Sequence, residues 1–238
     1  MGYVDIHSHI LPGLDDGAQD LQQSLEMLRI ARKEGITDVI ATPHYKRGRF
    51  HGDSKEISRR MKLLRRAAEE EGIEIRIWPG TEVYYHGELE EKLARGEIHT
   101  LNHTDRILVE FSPYENYSYI RNAAEDIFSM GYLPVLAHAE RFHCLLKDAE
   151  KVWELREMGC EIQVNASDVA GEGGFEVKRF IGKLLKRQLV DYVGTDAHNT
   201  KGRSPAMKRC AEVLRKKCGD AYADAILEGN ARRRLLGG

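Results

Sequence analysis

Near its start the chain reads Val4-Asp5-Ile6-His7-Ser8-His9, a short, mainly apolar run that passes directly into two histidines. The same arrangement recurs along the sequence: an apolar run that predicts a buried strand ends at a metal-binding side chain. The later cases end at His44, Glu82, Glu110, His138 and Asp196, which makes six in all. Side chains at the same end of successive parallel strands converge on one face of a barrel. The pattern therefore predicts a polynuclear metal site at the C-terminal ends of the strands.

Two of these strand ends carry a pair of donors separated by one residue, His7 with His9 and Asp196 with His198. Side chains along an extended backbone alternate in direction, so both members of a pair lie on the same side. One metal ion can reach both members, or two neighbouring ions can share them. A single histidine after a buried strand is more often a hydrogen-bonded residue than a ligand. The presence of a metal-binding side chain at six strand ends favours the metal site.

Predicted strands and helices alternate along the whole sequence. The strand candidates are residues 4–6, 39–43, 75–81, 106–109, 134–137, 161–165 and 192–195; the helix candidates are residues 21–33, 57–71, 119–130, 149–158, 176–187, 205–218 and 222–227. Gly35, Gly72 and Gly159 mark helix ends, since glycine commonly follows the last helical turn. No repeat or linker interrupts the alternation. We therefore expect one α/β domain over residues 1–238, a distorted (β/α)7-type barrel with parallel strands.

Composition excludes several classes of protein. The 36 Lys and Arg residues nearly balance the 38 Asp and Glu residues, so a net charge of −2 gives no overall field to recruit nucleic acid or an anionic membrane. Cys144, Cys160, Cys210 and Cys218 form no C-x-x-C pair, which indicates reduced thiols. Neither a bilayer-spanning apolar run nor a signal segment is visible. We expect a cytoplasmic protein without membrane insertion.

Several motifs resemble those of a known superfamily. They are Asp5-Ile6-His7-Ser8-His9-Ile10-Leu11-Pro12-Gly13-Leu14-Asp15-Asp16-Gly17-Ala18, Ala41-Thr42-Pro43-His44, Leu136-Ala137-His138-Ala139-Glu140-Arg141 and Thr195-Asp196-Ala197-His198-Asn199. In order and extent they resemble the PHP-superfamily phosphatases, in particular the bacterial manganese-dependent protein-tyrosine phosphatases of capsule and exopolysaccharide loci. One departure is Ala139, where that family usually has proline; it leaves His138 and Arg141 in place.

The resemblance implies three metal ions. The first would be held by His7, His9, Glu82 and Asp196, the second by Glu82, Glu110 and His138, and the third by Asp16, His44 and His198. Asp15 would be a turn residue, since Asp-Asp-Gly is common in turns. Imidazole and carboxylate ligands without thiolate suit manganese, iron or zinc better than copper or calcium; the resemblance favours manganese. Four carboxylates and three divalent ions leave a charge of roughly +2, which matches a phosphate monoester dianion.

Two arginines closely follow candidate ligands: Arg141 comes three residues after His138, and Arg203 five residues after His198. A guanidinium group can bind two phosphate oxygens at once, so we expect both arginines to clamp the phosphoryl group. The alternative for each is a solvated loop residue or an ion pair with an acid such as Glu140.

These residues and the resemblance together predict hydrolysis of phosphotyrosine in proteins, by hydroxide that metal coordination activates. A phenolate, with a pKa of ~10, leaves without a strong general acid. The resemblance implies a cognate bacterial tyrosine kinase, or a related polysaccharide-pathway protein, as the substrate. The basic loop Lys46-Arg47-Gly48-Arg49 either guides an acidic peptide or is solvated. The sequence leaves the oligomeric state open.

Three other functions are weighed against this one. A histidinol-phosphate phosphatase shares the superfamily, the metals and the reaction, and the Gly13-Leu14-Asp15-Asp16-Gly17 opening favours the tyrosine-specific branch over it. Many amidohydrolase barrels bridge two metals with a carbamylated lysine, and no lysine stands at the strand ends that carry Glu82 and Glu110. A non-catalytic barrel is disfavoured because all nine ligand positions are filled.

Overall fold

The computed structural model describes residues 2–46, 50–51 and 53–237, with the backbone alone at residues 50 and 51. The basic loop, expected either to guide an acidic peptide or to be solvated, contains Arg47, Gly48 and Arg49. These three residues lie outside the described part of the chain.

Ten strands lie in the described part of the chain. They are β1 (Tyr3–Ser8), β2 (Ile36–Ala41), β3 (His44–Lys46), β4 (Phe50–His51), β5 (Arg76–Pro79), β6 (Glu82–Tyr84), β7 (Arg106–Glu110), β8 (Leu133–Leu136), β9 (Glu161–Asn165) and β10 (Tyr192–Gly194). All seven predicted strands are present. The other three, β3, β4 and β6, have two or three residues each. Such lengths are too short for the alternation that identifies a strand in a sequence.

The strands form two sheets. One has the order β1-β2-β5 and the other β10-β9-β8-β7-β6-β3-β4, with every pair parallel except β3 with β4. A parallel bridge between Ser8 and Ala197 links the end of β1 to the residues after β10. Hydrogen bonds of 2.8 Å from His9 N to Ala197 O and from Asp196 N to His7 O support this bridge. The expected α/β fold with parallel strands is confirmed, whereas a closed barrel of seven strands is not, because the described backbone pairing leaves two sheets.

The chain passes from the first sheet to the second twice, each time just before a candidate ligand. β2 gives way to β3 at His44 and β5 gives way to β6 at Glu82, in both cases after a two-residue break. Pro43 lies in the first break, where it fits because proline has no N–H to donate to a ladder. His44 and Glu82 are direct register partners in the pair of β3 with β6. The backbone therefore places two candidate ligands side by side.

Helices connect most of the strands. They are α1 (Leu21–Lys33), α2 (Ser54–Glu70), α3 (Leu89–Ala94), α4 (Tyr117–Ser129), α5 (His143–Leu146), α6 (Glu150–Glu157), α7 (Ala166–Ala170), α8 (Gly174–Lys186), α9 (Lys208–Cys218), α10 (Asp220–Asp224) and α11 (Asn230–Leu235). Short 3₁₀ turns occupy Leu101–His103 and Ala139–Arg141, and a π-helical turn, Ala225–Gly229, joins α10 to α11. The seven predicted helices are present within a few residues. No helix in the described part combines the length and the apolar character that a bilayer crossing requires.

A compact apolar interior holds the strands in place. Its buried members are Val4, Ile6, Ile40, Leu101, Leu108, Val135, Ala137, Tyr192, Ala231 and Leu235, each at most 2% exposed. They come from both sheets and from α11, so the last helix of the chain packs against the strand interior. A second, larger apolar cluster lies between the strands and the surrounding helices. Close packing on both sides fixes the strands, and with them the side chains at their ends.

Candidate metal centre

The predicted ligands converge. Most of them lie at or just after the C-terminal end of a strand, whereas His44 and Glu82 are the first residues of β3 and β6. Eight of the nine fall into three overlapping groups, within each of which the ligand atoms lie within 4.8 Å of one another. The groups are His7, His9, Glu82 and Asp196; His9, Asp16, His44 and His198; and His44, Glu82 and Glu110. The ninth, His138, joins them through its Nε2 atom, which lies 2.8 Å from Glu82 Oε1.

The first group is the set predicted for the first ion. His7 Nε2 and His9 Nε2 each lie 3.2 Å from Glu82 Oε2, and they lie 3.2 Å from each other. Each is also 3.5 Å from Asp196 Oδ1. Two ligands that are each about 2.1 Å from one ion lie roughly 3.0–3.4 Å apart in octahedral or tetrahedral geometry. These separations suit a single first-row divalent ion.

The other two groups share His44. Asp16 Oδ1 lies 3.5 Å from both His44 Nε2 and His198 Nε2, so the three ligands predicted for the third ion are together. His44 Nδ1 lies 3.0 Å from Glu82 Oε2 and 3.2 Å from Glu110 Oε1. The set that the family resemblance implies pairs these two carboxylates with His138 instead. His138 Nε2 approaches Glu82 but is 3.9 Å from Glu110 Oε2, so the second set is the least tightly assembled.

The polar atoms at the centre of the cluster fit metal ions. Glu82 Oε2 is buried and lacks a well-aligned hydrogen bond from the described residues, although three imidazole nitrogens lie close to it: His7 Nε2 and His9 Nε2 at 3.2 Å and His44 Nδ1 at 3.0 Å. Buried His198 Nε2 likewise forms none within the described part of the chain. Buried polar atoms are nearly always satisfied. Divalent ions bound by imidazole and carboxylate would satisfy both atoms.

Glu82 and His198 have the charge states that metal coordination requires. Burial opposes ionisation of Glu82, but the charge of His7 and the adjacent imidazoles of His138 and His44 outweigh it and hold the Glu82 pKa well below its usual range. Burial of His198, together with the charge of His9, lowers the His198 pKa to about 3. An anionic carboxylate and a neutral imidazole are the forms that bind metal.

Both predicted phosphate-binding arginines lie beside the cluster. Arg141 Nη1 is 2.7 Å and Arg203 Nη2 is 2.8 Å from the same atom, Asp196 Oδ2. Their side chains are 40% and 42% exposed, so each guanidinium group also faces solvent. The alternative of an ion pair with an acid is thus present as well, with Asp196 as the acid, whereas Glu140 accepts a hydrogen bond of 2.8 Å from Asn165 N. Two cations thus stand where a substrate can approach the candidate ligands.

The backbone is strained at two candidate ligands. His138 (φ 34°, ψ 57°) and Asp196 (φ 52°) lie in the left-handed region. Such a conformation costs a non-glycine residue on the order of 1–3 kcal/mol and is concentrated at functional sites. Gly194, at the end of β10, permits a close approach, because a Cβ atom there would lie 2.7 Å from His7 Cβ. The local backbone is therefore shaped around His138 and Asp196, and also around His7.

Asp15 has a larger role than the turn position predicted from the sequence. Its Oδ1 accepts a hydrogen bond of 2.9 Å from Gly17 N, which is the expected turn. Its Oδ2 lies 2.7 Å from His9 Nδ1 and accepts a bond of 2.9 Å from His44 N. A carboxylate that holds the second nitrogen of a ligating histidine fixes the ring and raises its basicity. The sequence signal was the doubled acid, Asp15-Asp16, of which only one member is needed as a ligand.

Replacing Asp15 with asparagine is expected to weaken metal binding by about 10-fold or more, because the neutral amide keeps the turn but loses the charge that supports His9. Metal affinity measured by competition with a chelator dye checks this. Asp20→Asn is the matched control, since Asp20 caps α1 by accepting from Gln23 N and asparagine caps equally well. Equal affinities for Asp15→Asn and the control would mean that Asp15 acts only in the turn.

The strand β9 carries no predicted ligand but supports the ligands of its neighbours. Gln163 Oε1 accepts a hydrogen bond of 2.7 Å from His138 N and lies 3.1 Å from His7 Nδ1. Asn165 Nδ2 donates to Asp196 Oδ2 at 3.2 Å. Sequence reasoning missed these residues. The available signal was the polar alternation of Glu161, Gln163 and Asn165 in a strand that is buried throughout.

The fold and the site together define a class of protein: an α/β fold with parallel strands, matching PHP-type phosphatase structures, that gathers histidines and carboxylates at its strand ends. The resemblance seen in the sequence is therefore upheld. Residues 3–236 match the family model described as capsular polysaccharide synthesis, CpsB/CapC, and the chain belongs to that family.

Relatives support the same conclusion. The tyrosine-protein phosphatase YwqE of Bacillus subtilis (strain 168) is 35% identical over 226 residues, which cover 94% of this chain and 89% of the relative. A solved structure described as YwqE from Bacillus subtilis and CpsB from Streptococcus pneumoniae, unique metal-dependent tyrosine phosphatases, superposes with a TM-score of 0.92 and 34% identity. The match covers 98% of this chain and 94% of the solved one.

A more distant structure shares the fold alone. Histidinol phosphate phosphatase from Lactococcus lactis, solved with zinc, L-histidinol and phosphate, has a TM-score of 0.59 at 15% identity. The match covers 92% of this chain and 94% of that one. At this identity the likeness carries no argument about the substrate.

Proposed function

We propose that the chain is a metal-dependent phosphomonoester hydrolase that removes phosphate from phosphotyrosine in proteins. The observation that carries the proposal is the convergence of Arg141 and Arg203 on Asp196 Oδ2, at the edge of a cluster of candidate metal ligands. Cations for a phosphate therefore stand directly beside the groups that would hold its catalytic metals. The naming of YwqE as a tyrosine-protein phosphatase supports phosphotyrosine as the substrate class.

The proposed metal complement is three manganese ions, with iron or zinc as alternatives that suit the same ligands. The proposed ligand sets are His7, His9, Glu82 and Asp196; Glu82, Glu110 and His138; and Asp16, His44 and His198. The separations of 3.2 to 3.5 Å within the first set support it most strongly. We further propose that residues 1–238 form one distorted (β/α)7-type barrel, which the bridge between Ser8 and Ala197 supports.

In the proposed mechanism the ions and the arginines have separate roles. When bound, the ions would supply an activated water as nucleophile and offset negative charge on the phosphoryl oxygens. Arg141 and Arg203 would bind the remaining phosphoryl oxygens, where a planar guanidinium group can donate two hydrogen bonds at once. Asp15 and Gln163 would keep the imidazoles of His9 and His7 in orientation. A phenolate leaving group, with a pKa of ~10, needs little protonation.

The cysteines support this mechanism and a reducing cytoplasmic location. Cys144, Cys160, Cys210 and Cys218 are all free thiols, and burial raises the pKa of every one of them, that of Cys160 to about 12. A thiol with a raised pKa is a poor nucleophile. The proposed protein substrate is a cognate bacterial tyrosine kinase. The description of the family, capsular polysaccharide synthesis, supports that choice.

Substrate preference tests the proposed function. Wild-type protein is expected to hydrolyse a phosphotyrosine peptide with a higher kcat/KM than the matching phosphoserine peptide or histidinol phosphate, because a phenolate leaves without the strong acid that an alkoxide requires. The three values are compared at equal metal loading. Faster turnover of histidinol phosphate than of the peptide would contradict the tyrosine assignment while leaving the metal centre in place.

Metal content tests the proposed stoichiometry. Elemental analysis of manganese-loaded protein is expected to give about three ions per chain, and Asp16→Ala and His198→Ala are each expected to lose one, since both residues belong to the third set only. Asp53→Asn serves as the control, because Asp53 caps α2 and asparagine replaces it in that role. Two ions per chain, unchanged by either substitution, would remove the third ion from the proposal.

A further inference from the structure

A cavity of about 310 Å³ adjoins the candidate metal centre. Arg141, Asp196 and Arg203 line it, so it opens directly beside the proposed phosphate site. It also extends beyond them, to Lys201 and Arg209. Neither of these two residues has a part in the mechanism described above.

The cavity carries an excess of positive charge. Its cationic lining residues are Arg141, Lys201, Arg203 and Arg209, and its carboxylates are Glu172 and Asp196. Four cations against two carboxylates leave two positive charges unmatched. Asp196 is already engaged by both Arg141 and Arg203. Lys201 and Arg209 form no ion pair with any residue in the described part of the chain, so they are lining cations without a carboxylate partner.

Arg209 stands where local structure gives it no stabilising partner. It lies in the first turn of α9, where the helix dipole disfavours a cation. That helix end is already satisfied, because the Glu34 carboxylate accepts hydrogen bonds of 3.0 Å from Met207 N and 2.9 Å from Lys208 N. A guanidinium group accepts no hydrogen bond and so cannot cap this helix end. Because Arg209 also forms no ion pair with a described residue, its guanidinium group is available to bind a ligand.

We infer that Lys201 and Arg209 form a subsite for a second anionic group of the peptide substrate, next to the phosphotyrosine phosphate. This inference rests on the proposed function. The anion is a carboxylate of a flanking acidic residue or a second phosphate, since both present oxygen acceptors to lysine and arginine. Both side chains are exposed, so the subsite adds selectivity for the surrounding peptide and stands apart from the bond that breaks.

Peptide binding separates the subsite from the phosphate site. The probes are three fluorescent peptides that carry a non-hydrolysable phosphonate analogue of phosphotyrosine, with neutral flanks, with flanking glutamates or with a second phosphonate. Their Kd values are measured by anisotropy with manganese-loaded wild-type protein, Lys201→Ala/Arg209→Ala and Lys216→Ala/Lys217→Ala. The last variant removes the same charge from exposed positions at the other end of α9.

Wild-type protein and the Lys216→Ala/Lys217→Ala control are expected to bind an anionic peptide about 10-fold more tightly than the neutral one, and Lys201→Ala/Arg209→Ala is expected to lose that preference. The preference should shrink as salt rises. A gain with only one of the two anionic peptides identifies the anion. No preference in wild-type protein, or a preference that survives the Lys201→Ala/Arg209→Ala change, would overturn the subsite. Failure of the neutral peptide to bind would count against the proposed function instead, while the anionic peptides still report on the subsite.

Discussion

Removal of the metal with a chelator is expected to abolish hydrolysis of phosphotyrosine peptides, and added manganese is expected to restore it. The nucleophile and much of the charge compensation are proposed to depend on the ions, which together contribute several kcal/mol of transition-state stabilisation. The rate should therefore fall by about 10³-fold or more. Steady-state assays before chelation, after chelation and after addition of manganese measure the effect.

Single substitutions distinguish this mechanism from a covalent one. His7→Ala, Glu82→Ala and Asp196→Ala each remove a member of the four-residue ligand group proposed for the first ion, so each should lose most of the activity. Cys144→Ser and Cys218→Ser should lose little, because both thiols have raised pKa values. Full activity in chelator, or inactivation by one cysteine change, would point to a cysteine nucleophile.

Arg141→Ala is expected to lower kcat/KM for a phosphotyrosine peptide on the order of 10²-fold or more. The change removes a bidentate donor to the charged phosphoryl group, and the loss of such a donor typically costs ~2–4 kcal/mol of transition-state stabilisation. Arg141→Lys should recover only part of the loss, since a lysine cannot form the paired contact. Metal content, measured by elemental analysis, should stay at the wild-type value.

Arg66→Ala provides the control for Arg141. Arg66 forms an exposed ion pair with Glu70 on α2, and such pairs contribute little. A fall in metal content in Arg141→Ala would show that the Arg141 contact with Asp196 serves to hold a metal ligand. The phosphate-binding role would then pass to Arg203 alone.

The sequence predicted the features that depend on local pattern. Six of the seven main strands were visible as apolar runs, and their ligand ends were visible because His44, Glu82 and the others follow those runs directly. The sheet order was not visible. Pro43 and the break before Glu82 move the chain from one sheet to another, and strands of three residues leave too short a pattern to detect.

Residues that support a candidate ligand without binding metal themselves could not be identified from the sequence either. Gln163 lies on β9 but contacts His7 and His138, which belong to other parts of the chain. The parallel pairing of β9 with β8 and β10 brings these residues together. The two-sided position of His44, with one ring nitrogen toward Asp16 and the other toward Glu110, depends on the ring orientation in the folded chain. Spacing along a sequence specifies which groups are available, whereas side-chain orientation determines which of them meet.

The register of β3 with β6 limits how the length of this chain can change. His44 and Glu82 are held opposite each other by backbone pairing, and a slip of one residue along a strand turns every side chain to the other face. An insertion or deletion between β2 and β3, or between β5 and β6, would therefore separate the two residues even if every ligand were retained. These two short connections must therefore keep their lengths.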